Sequence, residues 1–246
     1  MRAAVRAEWT KLRTVPGPAW LLFGVVASTM VLGAVVANSV TCTTVGCAAD
    51  AAKSSLTGVQ LGQAVVAVLA VLVIGDEYGT GMIRTTLMAV PRRSVVLAAK
   101  ALILVAAVLV TAGLAVAGSL IAGSRMLPLA LSDPATLRAA AGTTLYLALI
   151  ALLGLGIAAA VRDSAAAIGV TLGLLYLFPI LASTVGNQAW HRHLQQISPS
   201  NAGLAVQATV GLDTLPIGPW AGLGVLGLWV AAALLTGGLL LQLRDA

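Results

Sequence analysis

Six long, unbroken apolar runs constrain this chain more than any other feature. They cover about Ala19–Val40, Leu56–Gly75, Val95–Ala122, Ala139–Val161, Ala165–Val185 and Pro219–Leu241. A helix needs roughly 20 apolar residues to cross a hydrocarbon core about 30 Å thick, so each run is long enough for one crossing. The runs are continuous rather than alternating, which predicts helices and not the strands of a barrel. Charged residues make up only 9% of the chain, too few to cover a water-soluble domain, in which about 25% is usual. The expected fold is therefore an all-α polytopic membrane protein, a single transmembrane domain over residues 1–246 with six crossings. The first run is longer than the h-region of a signal peptide and reads as a retained helix.

The charges give an orientation. If the N-terminus is inside, ten of the fourteen basic residues fall on the cytoplasmic side: Arg2, Arg6, Lys11, Arg13, Arg84, Arg92, Arg93, Lys100, Arg162 and Arg244. The positive-inside rule then places both termini in the cytoplasm. Lys100 is the only charge inside a run, near its start, where a lysine is expected to snorkel to the interface. The basic residues are dispersed between runs, a pattern of topology and not of nucleic-acid binding. Cys42 and Cys47 fall between the first two runs; outside the cell they form either a local disulfide or two reduced residues.

Chemical signatures narrow the function. The chain has no G-x-x-x-x-G-K-[ST] phosphate loop, no H-E-x-x-H and no G-x-S-x-G. His191 and His193 lack a nearby third ligand, so no metal site is expected, and no residues present themselves for a cofactor. The acids Glu8, Asp50, Asp76, Glu77, Asp133, Asp163, Asp213 and Asp245 all lie outside the run interiors. That disfavours an ion-coupled secondary transporter, which needs an ionisable group within the membrane. Gln60 and Gln63 are costly to bury and are candidates for a water-exposed path. Gly58-x-x-x-Gly62 and Gly169-x-x-x-Gly173 have the spacing of close helix contacts.

Two further segments are amphipathic. In residues 1–17, Val5, Trp9 and Leu12 share one helical face beside Arg2, Arg6 and Arg13, as in a helix lying along a membrane surface. Between the second and third runs, residues 76–94 predict a helix from about Thr80 to Val90, ended by Pro91. Its apolar positions are Met82, Ile83, Leu87 and Val90, and its polar ones Arg84, Thr85 and Thr86. A loop that only joined two crossings would need no such helix. The longest external segment is expected at 187–218.

The stretch GDEYGTGMIRTTLMAVPRR, residues 75–93, resembles the loop between the second and third helices of type 2 ABC-exporter permeases. EWTKLRTVP at Glu8–Pro16 is similar to that family's N-terminal elbow, and SPSNAG at Ser198–Gly203 to the segment before its last helix. With six helices in the same order, the resemblance covers essentially the whole chain and is to short bacterial permeases encoded apart from their ATPase. It implies a multi-pass protein of the bacterial plasma membrane that pairs with a second permease copy or paralogue, among membrane lipids. Each copy would dock an ATP-binding-cassette subunit, which alone holds ATP and Mg, so this chain is not itself an enzyme. The resemblance assigns coupling to the ATPase to Asp76, Glu77, Tyr78, Gly81, Arg84, Pro91, Arg92 and Arg93, with Arg162 and Asp163 as a second contact. It lines the substrate path with the second and fifth helices, hence Gln60, Gln63, Thr171 and Tyr176. The expected cargo is lipophilic or amphipathic. The rival reading is a non-transporting anchor or regulatory subunit of an ATPase complex.

Overall fold

The computed structural model describes residues 2–40, 50–89 and 92–243. Cys42, Cys47 and Pro91 lie outside them, and so do Val90 and Arg244. The described residues form helices and no strand. They begin with α1 (Arg2–Thr14), α2 (Pro16–Ser39), the short α3 (Ala51–Ser55), α4 (Val59–Gly79), α5 (Met82–Ala89) and α6 (Arg93–Ser124). Then come α7 (Pro134–Val161), α8 (Ser164–Leu172), α9 (Phe178–Ser183), α10 (Gln188–Ile197), α11 (Pro199–Leu204) and α12 (Pro219–Leu243). A π-helical turn, Gly173–Leu177, joins α8 to α9 and makes them one crossing. Among the described residues, six helices are thus long and apolar enough to span a membrane.

Helix ends extend past the apolar runs where the flanking residues favour it. Pro134 opens α7 in the first turn, where its missing N–H costs nothing, five residues before the apolar run begins. α4 continues through Asp76, Glu77 and Tyr78 to Gly79, and Gly81 at φ +71° turns the chain into α5.

α7 is the central post of the bundle, packed against α4, α6, α8 and α12. Lipid is as apolar as a leucine side chain, so helices associate in it through close packing rather than through burial from water. The first glycine pair serves that end: a Cβ on Gly58 would collide with the Thr29 carbonyl of α2, and one on Gly62 with the Thr29 hydroxyl. Gly169 and Gly173 have nothing within 4 Å and make no such contact inside the chain.

The segment before the last crossing is more than an external loop. Ser198, Pro199, Ser200, Ala202, Gly203, Val206 and Gln207 are buried, and α11 packs along α12. Pro179 has no N–H for the Leu175 carbonyl four residues earlier, and Ser200 Oγ donates to that carbonyl at 2.9 Å. Trp229 Nε1 donates to the Ile197 carbonyl at 2.9 Å and an Arg138 N–H to that of Ala208 at 2.6 Å. Asp50 completes the clip, accepting from the Thr209 N–H at 2.5 Å, the Thr209 hydroxyl at 2.7 Å and the Val210 N–H at 3.2 Å.

Candidate functional site

The bundle gathers its charge at the end that holds α1, α5 and the C-terminus of α12. Lys100, two turns into α6, is 1% exposed. Its ammonium donates to Glu8 Oε2 of α1 at 2.9 Å, to Glu77 Oε1 of α4 at 2.7 Å and to the Val73 carbonyl at 3.2 Å. Lys11 Nζ donates to the same Glu77 oxygen at 2.5 Å and to Glu8 Oε1 at 3.2 Å. Two acids and two bases thus close a ring that ties α1, α4 and α6 together.

This ring corrects one expectation. Lys100 does not snorkel; taking two charges out of water is offset only by good geometry, and two carboxylates and a carbonyl provide it. Glu77 lies near the end of a helix long and apolar enough to span the membrane, at 6% exposure, with its carboxylate turned into the ring. α1 turns Ala4 and Glu8 toward the bundle, where the partners of Glu8 and Lys11 lie in α4 and α6, and leaves Trp9 46% exposed. Burial lowers the pKa of Lys11, but its hydrogen bond to Glu77 and the charges of Glu8 and Glu77 outweigh that and hold it above the usual lysine value.

A second knot closes the C-terminal end of α12. Arg93 donates to the Leu241 carbonyl at 2.6 Å and Arg162 to that of Leu240 at 2.9 Å, cations placed at the negative end of the helix dipole. The Arg162 guanidinium also lies 5.6 Å from the centre of the Tyr78 ring. Arg162 ends α7 in the left-handed conformation, φ 64°, and Asp163 caps α8 by accepting from the Ala166 N–H at 2.7 Å. Arg93, Arg162 and Tyr78 therefore hold helices together in this chain.

On α5, Ile83 is buried and anchors the helix, while Met82 (47%), Thr85 and Met88 (80%) are exposed. Asp76, Gly79, Thr80, Gly81 and Arg92 are exposed beside them.

The four path candidates divide. Gln63 is 2% exposed and its Oε1 accepts the Tyr146 hydroxyl, deep against α7. Thr171 is fully buried, its hydroxyl returned to the Ala167 carbonyl at 2.7 Å. Gln60 is exposed, and the half-buried Tyr176 donates to its carbonyl oxygen. Within one chain, then, Gln63 and Thr171 are packing groups, and only Gln60 and Tyr176 reach the surface. His191 is engaged through both ring nitrogens, with the Ala182 carbonyl at 3.0 Å and the Gln195 amide at 2.9 Å.

The family model described as ABC-2 family transporter protein matches residues 4–180, which takes in the charge ring, α5, the first four crossings and most of the fifth. The chain belongs to the ABC-2 transporter family. It is accordingly a multi-pass membrane permease of an ABC transporter, a kind of protein that works with an ATPase partner. No curated protein matches the chain.

Proposed function

We propose that this ABC-2 permease is an exporter subunit that docks its ATPase through α5 and forms its path with a second permease copy or paralogue. The observation that carries the reading is α5 itself. It is an eight-residue helix between two crossings, held by Ile83, with Met88 turned away from its own bundle and Met82 half exposed at the bundle's edge. Methionine is an adaptable contact side chain, and exposed beside the polar Asp76, Thr85 and Arg92 it suits a protein surface. The positive-inside count makes this end cytoplasmic, with both termini on the cytoplasmic side of the bacterial plasma membrane. ATP and Mg belong to the partner. Asp163 and the α7–α8 turn give the second contact, and the inward-turned Glu77 takes no direct part. Gln60 and Tyr176 face the second copy, and the apolar walls around them suit a lipophilic or amphipathic cargo.

The test is Met82→Asp combined with Met88→Asp, purified in mild detergent with the co-expressed ATPase. Both side chains are exposed, so the permease should keep its melting temperature while the ATPase no longer co-purifies. An ATPase retained in full would refute α5 as the docking element. Export is tested apart from docking, by stimulation of ATP turnover in proteoliposomes by lipophilic compounds.

A further inference from the structure

Beside the charge ring lies a half-open cavity of about 260 Å³, between α1, α2, α4 and α6. Most of its wall is apolar, with Leu12, Pro18, Leu69, Leu72, Ile103 and Leu104 prominent. One end is charged: Glu8, Glu77, Lys11 and Lys100 of the ring line it, and the exposed Asp76 adds a third acid at its rim.

The hydrogen bonds within the ring decide which kind of group that end can receive. Lys100 has spent all three N–H bonds, on Glu8, Glu77 and Val73. It has nothing left to offer an anion. Glu77 is the opposite case. Its Oε1 accepts from both lysines, while its Oε2 is buried and has no partner among the described residues. A buried carboxylate oxygen left unpaired is costly, and a donor that reached it would recover that cost. The surplus negative charge favours a donor that is also a cation.

We propose that this cavity binds an amphiphile whose polar end is a primary ammonium and whose body is an apolar chain. The ammonium would meet the Glu77 carboxylate once that group turns Oε2, closed off from the cavity in this structure, toward the wall, and the chain would lie between Leu69, Leu72 and Ile103. At 260 Å³ the cavity holds a headgroup and the first part of a chain rather than a large ligand. The occupant is either the headgroup of an aminolipid or a free lipophilic amine, which share this chemistry. The site lies inside a single chain and requires neither an ATPase nor a second permease.

The probe is dodecylamine carrying a photoreactive diazirine on its chain. The full-length protein is held in nanodiscs of phosphatidylcholine and phosphatidylglycerol, and labelled residues are mapped by mass spectrometry. Label should concentrate at residues 12–21, 69–73 and 103–104. Because the ammonium gains a charged hydrogen bond, unlabelled dodecylamine should compete about tenfold or more better than dodecanol. Leu72→Trp fills the cavity without touching any charged group and should abolish the label. Glu77→Gln should abolish it too, but that variant also cuts the ring, so Leu72→Trp decides. Adding phosphatidylethanolamine to the disc separates the sources. Loss of label then identifies an aminolipid as occupant, and unchanged label a free amine; both sustain the site. Equal competition by dodecanol, or undiminished label in Leu72→Trp, would overturn it.

Discussion

Lys100→Met removes the centre of the charge ring while keeping an unbranched apolar stem of similar length. The structure sets the cost. Glu8 and Glu77 would retain one shared ammonium, Lys11, with Glu8 at 3.2 Å and Glu77 at 2.5 Å. Two buried carboxylates would then face one cation, and breaking a buried pair in this way typically costs about 3–5 kcal/mol. The damage has a ceiling, because a surplus carboxylate can take up a proton instead. From a reference glutamate value of about 4.3, that costs about 3.7 kcal/mol at pH 7. The expected loss is therefore about 3–4 kcal/mol, or roughly 6–16 °C in melting temperature for a chain of this size.

Two comparisons distinguish this from lost packing. A folded state that takes up a proton becomes relatively more stable as pH falls, so the deficit of Lys100→Met should shrink toward about 1 kcal/mol at pH 5. Adding Glu8→Gln removes the surplus charge and should restore most of the melting temperature. Fluorescence-detected size-exclusion after heating, in one detergent at pH 5 and pH 7.5, reads all three proteins. A Lys100→Met shift under about 2 °C, or a double variant less stable than the single, would mean that the ring does not hold the helices in the way described.

Other outcomes follow from single contacts. Backbone and hydroxyl donors from Lys53, Thr209 and Val210 outweigh the burial that would raise the pKa of Asp50 and hold it below the usual aspartate range. A lowered carboxylate stabilises the fold above its unfolded pKa and stops doing so as pH falls through the folded one. Asp50→Asn should therefore weaken the clip on Thr209 at neutral pH, and its difference from the parent should start to shrink as pH falls below about 4 and vanish only below the lowered folded value, read by limited proteolysis near residue 210. A Cβ on Gly222 would strike the Ala202 carbonyl, which is backbone and cannot rotate away. Gly222→Ala should cost about 1–3 kcal/mol in thermal melting and separate α11 from α12, whereas Gly224→Ala, with open space, should be nearly silent.

The six crossings were legible because lipid demands a long apolar stretch and nothing else in this chain resembles one. Their ends were less so, since the polar turns of α4 and α7 are helical for reasons of capping and pairing that hydropathy ignores. α11 was hidden for a different reason. Pro199, Ser200 and Gly203 read as a loop, yet small residues allow the backbone to enter the bundle, and the hydroxyl of Ser200 meets a carbonyl that Pro179 cannot serve. The ring was hidden by distance along the chain, because Lys100 meets acids 92 and 23 residues away. Its position, two turns inside an apolar helix, was the available signal: a lysine at that depth needs an acid.

That ring bears on the proposed coupling. Most helix contacts in this bundle are apolar and nearly interchangeable with lipid contacts, so the few polar ties carry much of the specific geometry. Glu77 lies five residues before Met82, at the end of the helix from which α5 hangs, and through the ring it grips both α1 and α6. If a docked ATPase moves α5, the end of α4 moves with it, and α1 and α6 must follow or the ring must open. Opening it costs several kcal/mol, more than displacing an apolar contact, so following is the cheaper response. On this reasoning Lys100→Met with Glu8→Gln, though stable, should bind the ATPase normally yet lose cargo-stimulated ATP turnover. Normal stimulation in that variant would place the coupling elsewhere, with the Arg162–Tyr78 contact beside the α7–α8 turn as the next route to test.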